Sequence, residues 1–369
     1  MNGKKLLYLV VAAVLLTALA YWSARRQHAA PPAAIGKHVL PALDINAVAR
    51  VEILKDGRTV TLVRGDEGWS VAKLFGFPAD VSKLRASLIK LQDLRIGDVA
   101  RGMSFGSNDV TLVDLQDGSG KSLAALRLGE RYKRGGPAAE TEMYRPAEGR
   151  YVSPGGHAGV YLVKETFDEF DGESKAWTEA QILSIPSADI QAIELSSPTG
   201  QTVRLTRDTG TLQLEGLATN EEFDTSRSYG LESAFGYLNF DGVADPRLDD
   251  SVTGLAQPHF YRVTLKHGDR YAAAIGRVAT NSTERYVRFE TQFADPGTNA
   301  TRKVEQEKRR AELAPRLKWT YLISSFTTEN MTRNRAELVK PKVVATNEVS
   351  AAATVTNAPA AVTNAPAAP

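Results

Sequence analysis

One serine in the chain lies in a pattern that is typical of nucleophilic catalysis. Residues 102–106 read GMSFG and match G-x-S-x-G, with Ser104 at the position of the nucleophile. In hydrolases that use this motif, a strand precedes the serine and a helix follows it, so that a strained turn presents the hydroxyl. Here the residues after Ser107 predict a strand, which favours a structural turn over a catalytic serine.

The histidines do not form a recognisable metal site. None is spaced for metal binding, no H-E-x-x-H is present, and the chain contains no cysteine. His157 follows the loop sequence SPGG and could present a base, although a histidine on a surface loop is the favoured interpretation. We therefore predict no catalytic, cofactor-binding or metal-binding residue. The five histidines are His28, His38, His157, His259 and His267.

Two charged runs fail the patterns that they resemble. In Asp168–Glu173 (DEFDGE), a glycine at the sixth position of a calcium loop would make Phe167 the first ligand, so the EF-hand pattern fails. The basic turn Arg131–Gly136 is not a phosphate-binding G-x-x-x-x-G-K-[ST] loop. We predict a solvated linker for the first run and a surface turn for the second.

Length and composition indicate an ordinary folding chain. With 369 residues and 43% hydrophobic content, two globular domains with accessory segments are expected. A formal net charge of +2 argues against nucleic acid as a partner, because nucleic-acid-binding domains usually carry a strong basic excess. The absence of cysteine excludes disulfides, thiolate metal sites and thiol catalysis.

The N-terminus predicts a membrane anchor within residues 1–26. Leu6–Ala24 is 19 residues long without a charge, and lysines and arginines flank it. At about 1.5 Å per residue this segment spans about 28 Å, enough for the hydrocarbon core of a bilayer. The alternative is a signal peptide cleaved after Ala20, but Tyr21 and Trp22 directly follow that site and favour a retained anchor. Residues 27–39 are predicted to be a spacer.

The chain then repeats itself. Val48–Val71 (VARVEILKDGRTVTLVRGDEGWSV) is echoed by Ile190–Leu214 (IQAIELSSPTGQTVRLTRDTGTLQL). In this alignment Val51–Ile53 matches Ile193–Leu195, and the turn glycines also match. Because further correspondences follow in the same order over about 140 residues, we predict two tandem copies of one α+β unit.

Each predicted unit contains a β-hairpin, a helix and further antiparallel strands. The first unit spans residues 40–176 and opens with the hairpin of Val48–Leu54 and Thr59–Arg64. A helix is predicted to start at Asp80, and its apolar stripe is Val81, Leu84, Leu88, Leu91 and Leu94. The second unit spans 177–330, and its helix is predicted from about Asn220.

Two further segments differ from this plan. Residues 302–317 (RKVEQEKRRAELAPRL) predict a charged helix inserted in the second unit, with Pro315 near its end. A solvated helix is the simpler interpretation, and a helix that docks a partner is the alternative. Residues 343–369 repeat VTNAPAA and predict a disordered tail rich in Ala, Thr and Pro.

These motifs together resemble the bacterial family called domain of unknown function 4340 (DUF4340). The resemblance extends over residues 40–330 and implies a membrane-anchored envelope protein, associated with ABC-type transport systems related to gliding-motility components. The family has no agreed catalytic residues, so none is assigned here. The matching pieces are Val51–Trp69, Pro78–Leu94, Leu126–Gly129, Trp177–Ile193 and Gly254–Pro258.

We therefore expect a non-enzymatic, single-pass protein of the bacterial inner membrane, with its main domain on the periplasmic side. Its expected role is an accessory or scaffold component of an ABC-transporter-like or gliding-motility-like complex, with transporter-type membrane proteins as partners. The alternative is a module that binds an envelope glycan or polymer in a groove between the two units. A serine-type hydrolase using Ser104 or His157 is a third hypothesis.

Overall fold

The structure is a computed structural model, and it describes five ranges of the chain. The predicted anchor Leu6–Ala24 and the predicted tail at 343–369 lie outside these ranges. Within them, no helix combines the length and apolar character needed to cross a bilayer. The described ranges are 33–105, 110–133, 147–155, 159–208 and 210–342.

The fold is mixed α and β, and strands dominate it. A first sheet of nine strands lies within the described residues before position 164. All of its neighbouring strands pair antiparallel, in the order β4-β3-β2-β1-β6-β7-β8-β9-β5. Its strands are β1 Arg50–Lys55, β2 Arg58–Gly65, β3 Gly68–Val71, β4 Phe77–Pro78, β5 Asp98–Val99, β6 Thr111–Gln116, β7 Ser122–Tyr132, β8 Gly149–Pro154 and β9 Tyr161–Val163.

A second sheet of eight strands follows within the described residues. Its order is β13-β12-β11-β17-β18-β19-β20-β16, again antiparallel throughout, so it repeats the order of the first sheet from β3 to β5. Its strands are β11 Ile190–Ser196, β12 Thr202–Arg207, β13 Leu212–Leu214, β16 Gly242–Val243, β17 His259–Leu265, β18 Arg270–Val278, β19 Glu284–Gln292 and β20 Thr320–Ser324. Two small ladders pair β10 Gln181–Leu183 with β15 Leu238–Asn239, and β14 Glu221–Phe223 with β21 Val339–Pro341.

The described helices are few. They are α1 Val81–Gln92, α2 Ser228–Glu232, α3 Asp250–Thr253, α4 Ala300–Leu317 and α5 Ser325–Glu329. Asp80 caps α1 as predicted, since its carboxylate accepts from the backbone N–H of Lys83 at 2.9 Å. The leucines of α1 at 84, 88 and 91 are buried against the first sheet, whereas Val81 is 45% exposed.

The helix predicted from Asn220 is much shorter than expected. Residues 221–223 are extended because they pair with β21, and the helix α2 has only five residues. Gly230 of this helix lies against the side chain of Asn330, which leaves little room for a Cβ. The apolar residues Leu231 and Phe235 still reach the core of the second sheet.

Each sheet has its own hydrophobic core on one face, and Phe77 and Trp177 each pack in the core of the other unit. Phe77 belongs to the first sheet, but it is 5% exposed and packs in the core of the second. Its ring centroid lies 5.1 Å from those of Phe240 and Trp319. Trp177, where the second predicted unit begins, is fully buried in the core of the first sheet.

Candidate functional site

The structure does not place Ser104 in a catalytic turn. Ser104 is exposed and lies between β5 and β6, so a strand follows it, as predicted. Its neighbour Phe105 packs over Gly129, which explains the aromatic residue of the motif as a packing contact. The last residue of the motif, Gly106, lies outside the described residues.

Three of the five histidines, His38, His259 and His267, lie within the described residues. His38 contacts the carbonyl of Gln92 through Nδ1 at 3.1 Å, and His259 is partly buried. Burial lowers the pKa of His259, and the nearby Arg285 lowers it further. His28 and His157 lie outside the described residues. Across the described ranges, no three His, Asp or Glu side chains are grouped to hold a metal ion.

His267 belongs to a polar cluster around Asp269 that the sequence did not predict. Asp269 ends the turn between β17 and β18, and its side chain is 3% exposed. Its Oδ1 accepts from the backbone N–H of Ala294 at 2.9 Å and from Nε2 of Gln306 at 3.0 Å. Its Oδ2 contacts Nε2 of His267 at 2.9 Å, and Arg302 lies 3.7 Å from Oδ1. We call these side chains the Asp269 cluster.

The Asp269 cluster attaches α4 to the second sheet. Gln306 also donates to the carbonyl of Ala294 at 3.0 Å, and Arg309 donates to the hydroxyl of Tyr271 at 3.2 Å. Burial raises the pKa of Tyr271, which keeps it a neutral hydrogen-bond partner. The buried carboxylate of Asp269, with its four polar partners, is thus the main contact that holds α4 to the second sheet.

The cluster also contains a histidine oriented by a carboxylate, which is one element of a nucleophilic site. The cavity beside it has a volume of about 300 Å³. The side chains that line it include no serine, threonine or cysteine that His267 could activate. The geometry therefore favours a structural clamp. The sequence shows only the His-Gly-Asp turn of the Asp269 cluster. It does not indicate that Gln306, 37 positions from Asp269, binds the carboxylate.

A cleft lies between the two sheets, and we call it the inter-unit cleft. The N-terminus of α1 forms one wall, and the C-terminal part of α4 forms the other. Its volume is about 510 Å³. The side chain of Arg316 closes one end, because it bonds Glu179 at 2.8 Å and the carbonyl of Gln181 at 3.1 Å. The lining consists of residues 77–82 with Glu179, Glu312, Pro315 and Arg316.

The inter-unit cleft has an excess of negative charge. Three carboxylates line it, and its one cation, Arg316, is already paired with Glu179. The nearby Lys83 is not part of the lining, since its Nζ donates to the carbonyl of Ala176 and lies 4.8 Å from the ring centroid of Trp177. The apolar side chains of Pro78, Val81 and Pro315 complete the lining. Such a surface suits a neutral or cationic group.

The sheets and the cleft define a mixed α/β protein with two antiparallel sheets of the same strand order. The chain contains a region of the family described as "Domain of unknown function (DUF4340)", whose model matches residues 145–258. This match confirms the resemblance to the family over residues 145–258, which include two of the pieces that carried it, Trp177–Ile193 and Gly254–Pro258. The matched range begins just before β8 of the first sheet and ends just before β17 of the second sheet, so it includes parts of both sheets. No curated protein and no solved structure matches the chain.

Proposed function

We propose that this protein is a non-enzymatic, membrane-anchored accessory or scaffold component of the bacterial envelope. The predicted anchor Leu6–Ala24 would hold the two sheets at the outer side of the inner membrane. The partner would be a membrane-spanning protein of an ABC-transporter-like or gliding-motility-like complex. The observation that carries the proposal is the exposed helix α4.

Helix α4 is an addition that the sheet itself does not require. It has 18 residues and lies between β19 and β20. The corresponding strands of the first sheet, β8 and β9, are separated only by residues 155–160. Because both sheets have the same strand order, α4 is not needed to form that order and can have another role.

The contacts of α4 leave most of its surface free. Only Gln306 and Leu313 are buried, and Arg302, Arg316 and Leu317 are partly buried. The remaining residues are exposed along a helix of about 27 Å, and of these Arg309 bonds Tyr271 and Arg310 lies over the ring of Phe293. The outward surface alternates in charge and includes Val304, which is 65% exposed. A long helix fixed along one narrow stripe presents a regular surface to a partner.

A crosslinking experiment on the full-length protein in its own membranes tests this role. Changing Lys303→Glu together with Glu307→Lys inverts the outward charge pattern and keeps the net charge. We expect the wild type to crosslink to a membrane-spanning protein encoded in an adjacent reading frame, and the double variant to lose that product. Arg85→Glu, on the exposed face of α1, is the matched control and should retain it. A wild type that remains a monomer under crosslinking would contradict the proposal.

A second candidate function is the binding of an envelope polymer in the inter-unit cleft. The volume of about 510 Å³ and the acidic lining favour a neutral polymer, or one that carries amines. Sedimentation with purified envelope polymers tests this function. Val81→Arg, at the cleft, should reduce retention, whereas Ile89→Arg, equally exposed on the same helix, should not. No retention of the wild type would exclude this function.

A further inference from the structure

The open face of the second sheet carries three arginines around a shallow trough. On β11 and β17 buried residues alternate with partly exposed ones, so Glu194 and Arg262 lie together on the face opposite the core. The strand register places Arg204 beside Glu194 on one side and Arg262 on the other. Arg270 stands on β18, opposite Thr264 of β17. We call this surface the arginine trough.

The first sheet provides an internal comparison for these positions. Glu52 occupies the register position of Glu194, and its cross-strand neighbours are Thr61 and Asp114. These two residues correspond to Arg204 and Arg262, and Ser122 corresponds to Arg270. The first sheet therefore forms the same strand order with threonine, aspartate and serine at the three positions. The strand order therefore does not depend on arginines at these positions, which points to a separate role for them.

The floor of the arginine trough is formed by small side chains. Ala192 and Ala272 line it, and its volume is about 470 Å³. Arg204 and Arg262 stand two strands apart, a separation of about 10 Å across the sheet. Glu194 and Glu290 add carboxylates to the same lining. The trough therefore presents three guanidinium groups and two carboxylates around small alanine side chains.

The cations of the trough are only partly satisfied within the chain. Arg262 bonds Glu194 at 2.9 Å and Ser196 at 3.1 Å and lies over the ring of Phe260, so it is largely paired. Arg204 lies 3.6 Å from Glu215, which is half-exposed. Across the described residues, neither a hydrogen bond nor an ion pair holds the exposed side chain of Arg270. Guanidinium groups bind carboxylates in a planar, bidentate manner, so an exposed and unpaired Arg270 favours an anionic ligand.

We propose that the arginine trough binds an acidic polysaccharide. Its carboxylates would pair with Arg270, Arg204 and Arg262, and its hydroxyls would donate to Glu194 and Glu290. An acidic peptide has few hydroxyls that could donate to the two glutamates, so it would leave them without partners. A peptide that added a strand would also need free backbone groups, and β17 and β18 are paired on both sides. The proposal is independent of the accessory role of α4.

Binding of polygalacturonate to the full-length protein in detergent tests the proposal. The fully methyl-esterified polymer is the matched probe, because it keeps the sugar backbone and loses the carboxylates. The double variant Arg204→Thr with Arg270→Ser introduces the residues of the first sheet. We expect it to weaken polygalacturonate binding at least about tenfold, as loss of hydrogen bonds to charged groups implies. Arg127→Ser, exposed on the open face of the first sheet, should leave the affinity unchanged.

Several outcomes would overturn the proposal. These are equal affinity for the esterified polymer, unchanged binding by the double variant, and an equal loss in the Arg127→Ser control. Poly-glutamate bound as tightly as polygalacturonate would show simple charge attraction. Binding of anionic lipid vesicles through the same arginines, without polygalacturonate binding, would assign the surface to the membrane. Thermal unfolding of each variant confirms that it is folded. Polysaccharide binding by the arginine trough does not depend on the accessory role of α4, so loss of the α4 crosslink would not change how these results are interpreted.

Discussion

At the scale of single residues, Phe77 is the side chain that most directly connects the two sheets. It extends from the short strand β4 into the aromatic cluster of the second core, where it meets Phe240, Trp319 and Tyr321. Edge-to-face aromatic pairs of this kind add to the free energy gained from burial. The adjacent Phe75 is 44% exposed and takes no part in the cluster.

Replacing Phe77 with alanine should destabilise the protein strongly. We expect Phe77→Ala to lower the free energy of unfolding by about 3–5 kcal/mol, because it leaves a cavity in a closed aromatic cluster. Phe75→Ala is the control and should change stability by less than about 1 kcal/mol. Urea denaturation of the full chain measures both. Equal effects of the two substitutions would show that Phe77 is not part of the second core.

Glu221 is a second residue whose properties depend on a distant partner. Both carboxylate oxygens accept from the guanidinium of Arg335, at 2.9 and 2.5 Å, and Ala218 donates its backbone N–H at 3.0 Å. The bonds from Arg335, followed by that from Ala218, lower the pKa of Glu221 to about 2. The ionised form is favoured in the folded protein.

This lowered pKa predicts how the contact responds to acid. The pKa in the folded protein lies below the ordinary value of 4.5, so the contribution of Glu221 to stability is full above pH 4.5. It is then lost as the pH falls from there toward 2. Side-chain carboxyl NMR should show Glu221 titrating near 2 in the wild type and near 4.5 in Arg335→Met. Arg333→Met, which removes a neighbouring cation, should leave this titration unchanged. A wild-type midpoint near 4.5 would contradict the contact.

At the scale of elements, α4 depends on a buried carboxylate outside the helix. Its apolar contribution is small, since Leu313 is its one buried apolar residue. The Asp269 cluster supplies the polar attachment near the first half of the helix, and Arg316 supplies a second attachment near its end. The helix is therefore fixed mainly by hydrogen bonds and ion pairs to the second unit.

Removing the carboxylate of Asp269 should release α4. Asp269→Ala leaves the donors of Ala294, Gln306 and His267 without their acceptor, which should cost about 3 kcal/mol. We expect trypsin to cut faster at the lysines and arginines of residues 302–318 in this variant. Asp117→Ala, in the corresponding turn of the first sheet, should not change cleavage there. Unchanged cleavage in Asp269→Ala would exclude the cluster as the attachment of α4.

At the scale of the whole molecule, the two sheets are held together by contacts of several kinds. Phe77 enters the second core, Lys175 pairs with Asp241 at 3.0 Å, and the backbone of Asp80 donates to the carbonyl of Trp177 at 2.8 Å. Trp177 lies in the first core and begins the segment that leads to β10. These contacts should couple the folding of the two halves.

Coupled folding predicts a single unfolding transition. Two proteins that retain only Trp177 or only Trp319 report on the first and the second core separately, with the other tryptophans changed to Phe. We expect their fluorescence transitions in urea to share one midpoint, because Phe77 connects the two cores. Adding Phe77→Ala should separate the midpoints, and adding Phe75→Ala should not. Distinct midpoints without either substitution would show that the sheets unfold independently.

Much of the architecture could be predicted from local patterns. Alternating residues around Lys55–Arg58 indicated the first hairpin, and Asp80 with the following leucines indicated α1. The charged run after Asn299 indicated α4, including its Pro315 in the last turn. These features are readable because side-chain periodicity and helix caps involve residues only a few positions apart. The inter-unit cleft could not be predicted in this way. Its walls come from α1 and from α4, and α4 begins more than 200 positions after α1 ends.

The sequence by itself determined the repeated hairpins, the capped helix α1 and the charged helix α4. The anchor within residues 1–26 stays a prediction, which rests on an uncharged run long enough to cross a bilayer. Tertiary structure alone decided that β14 replaces the start of a predicted helix, that Phe77 crosses into the second core and that Asp269 holds Gln306. The physical reason is that partners distant in the chain decide these outcomes, and no local pattern encodes a partner.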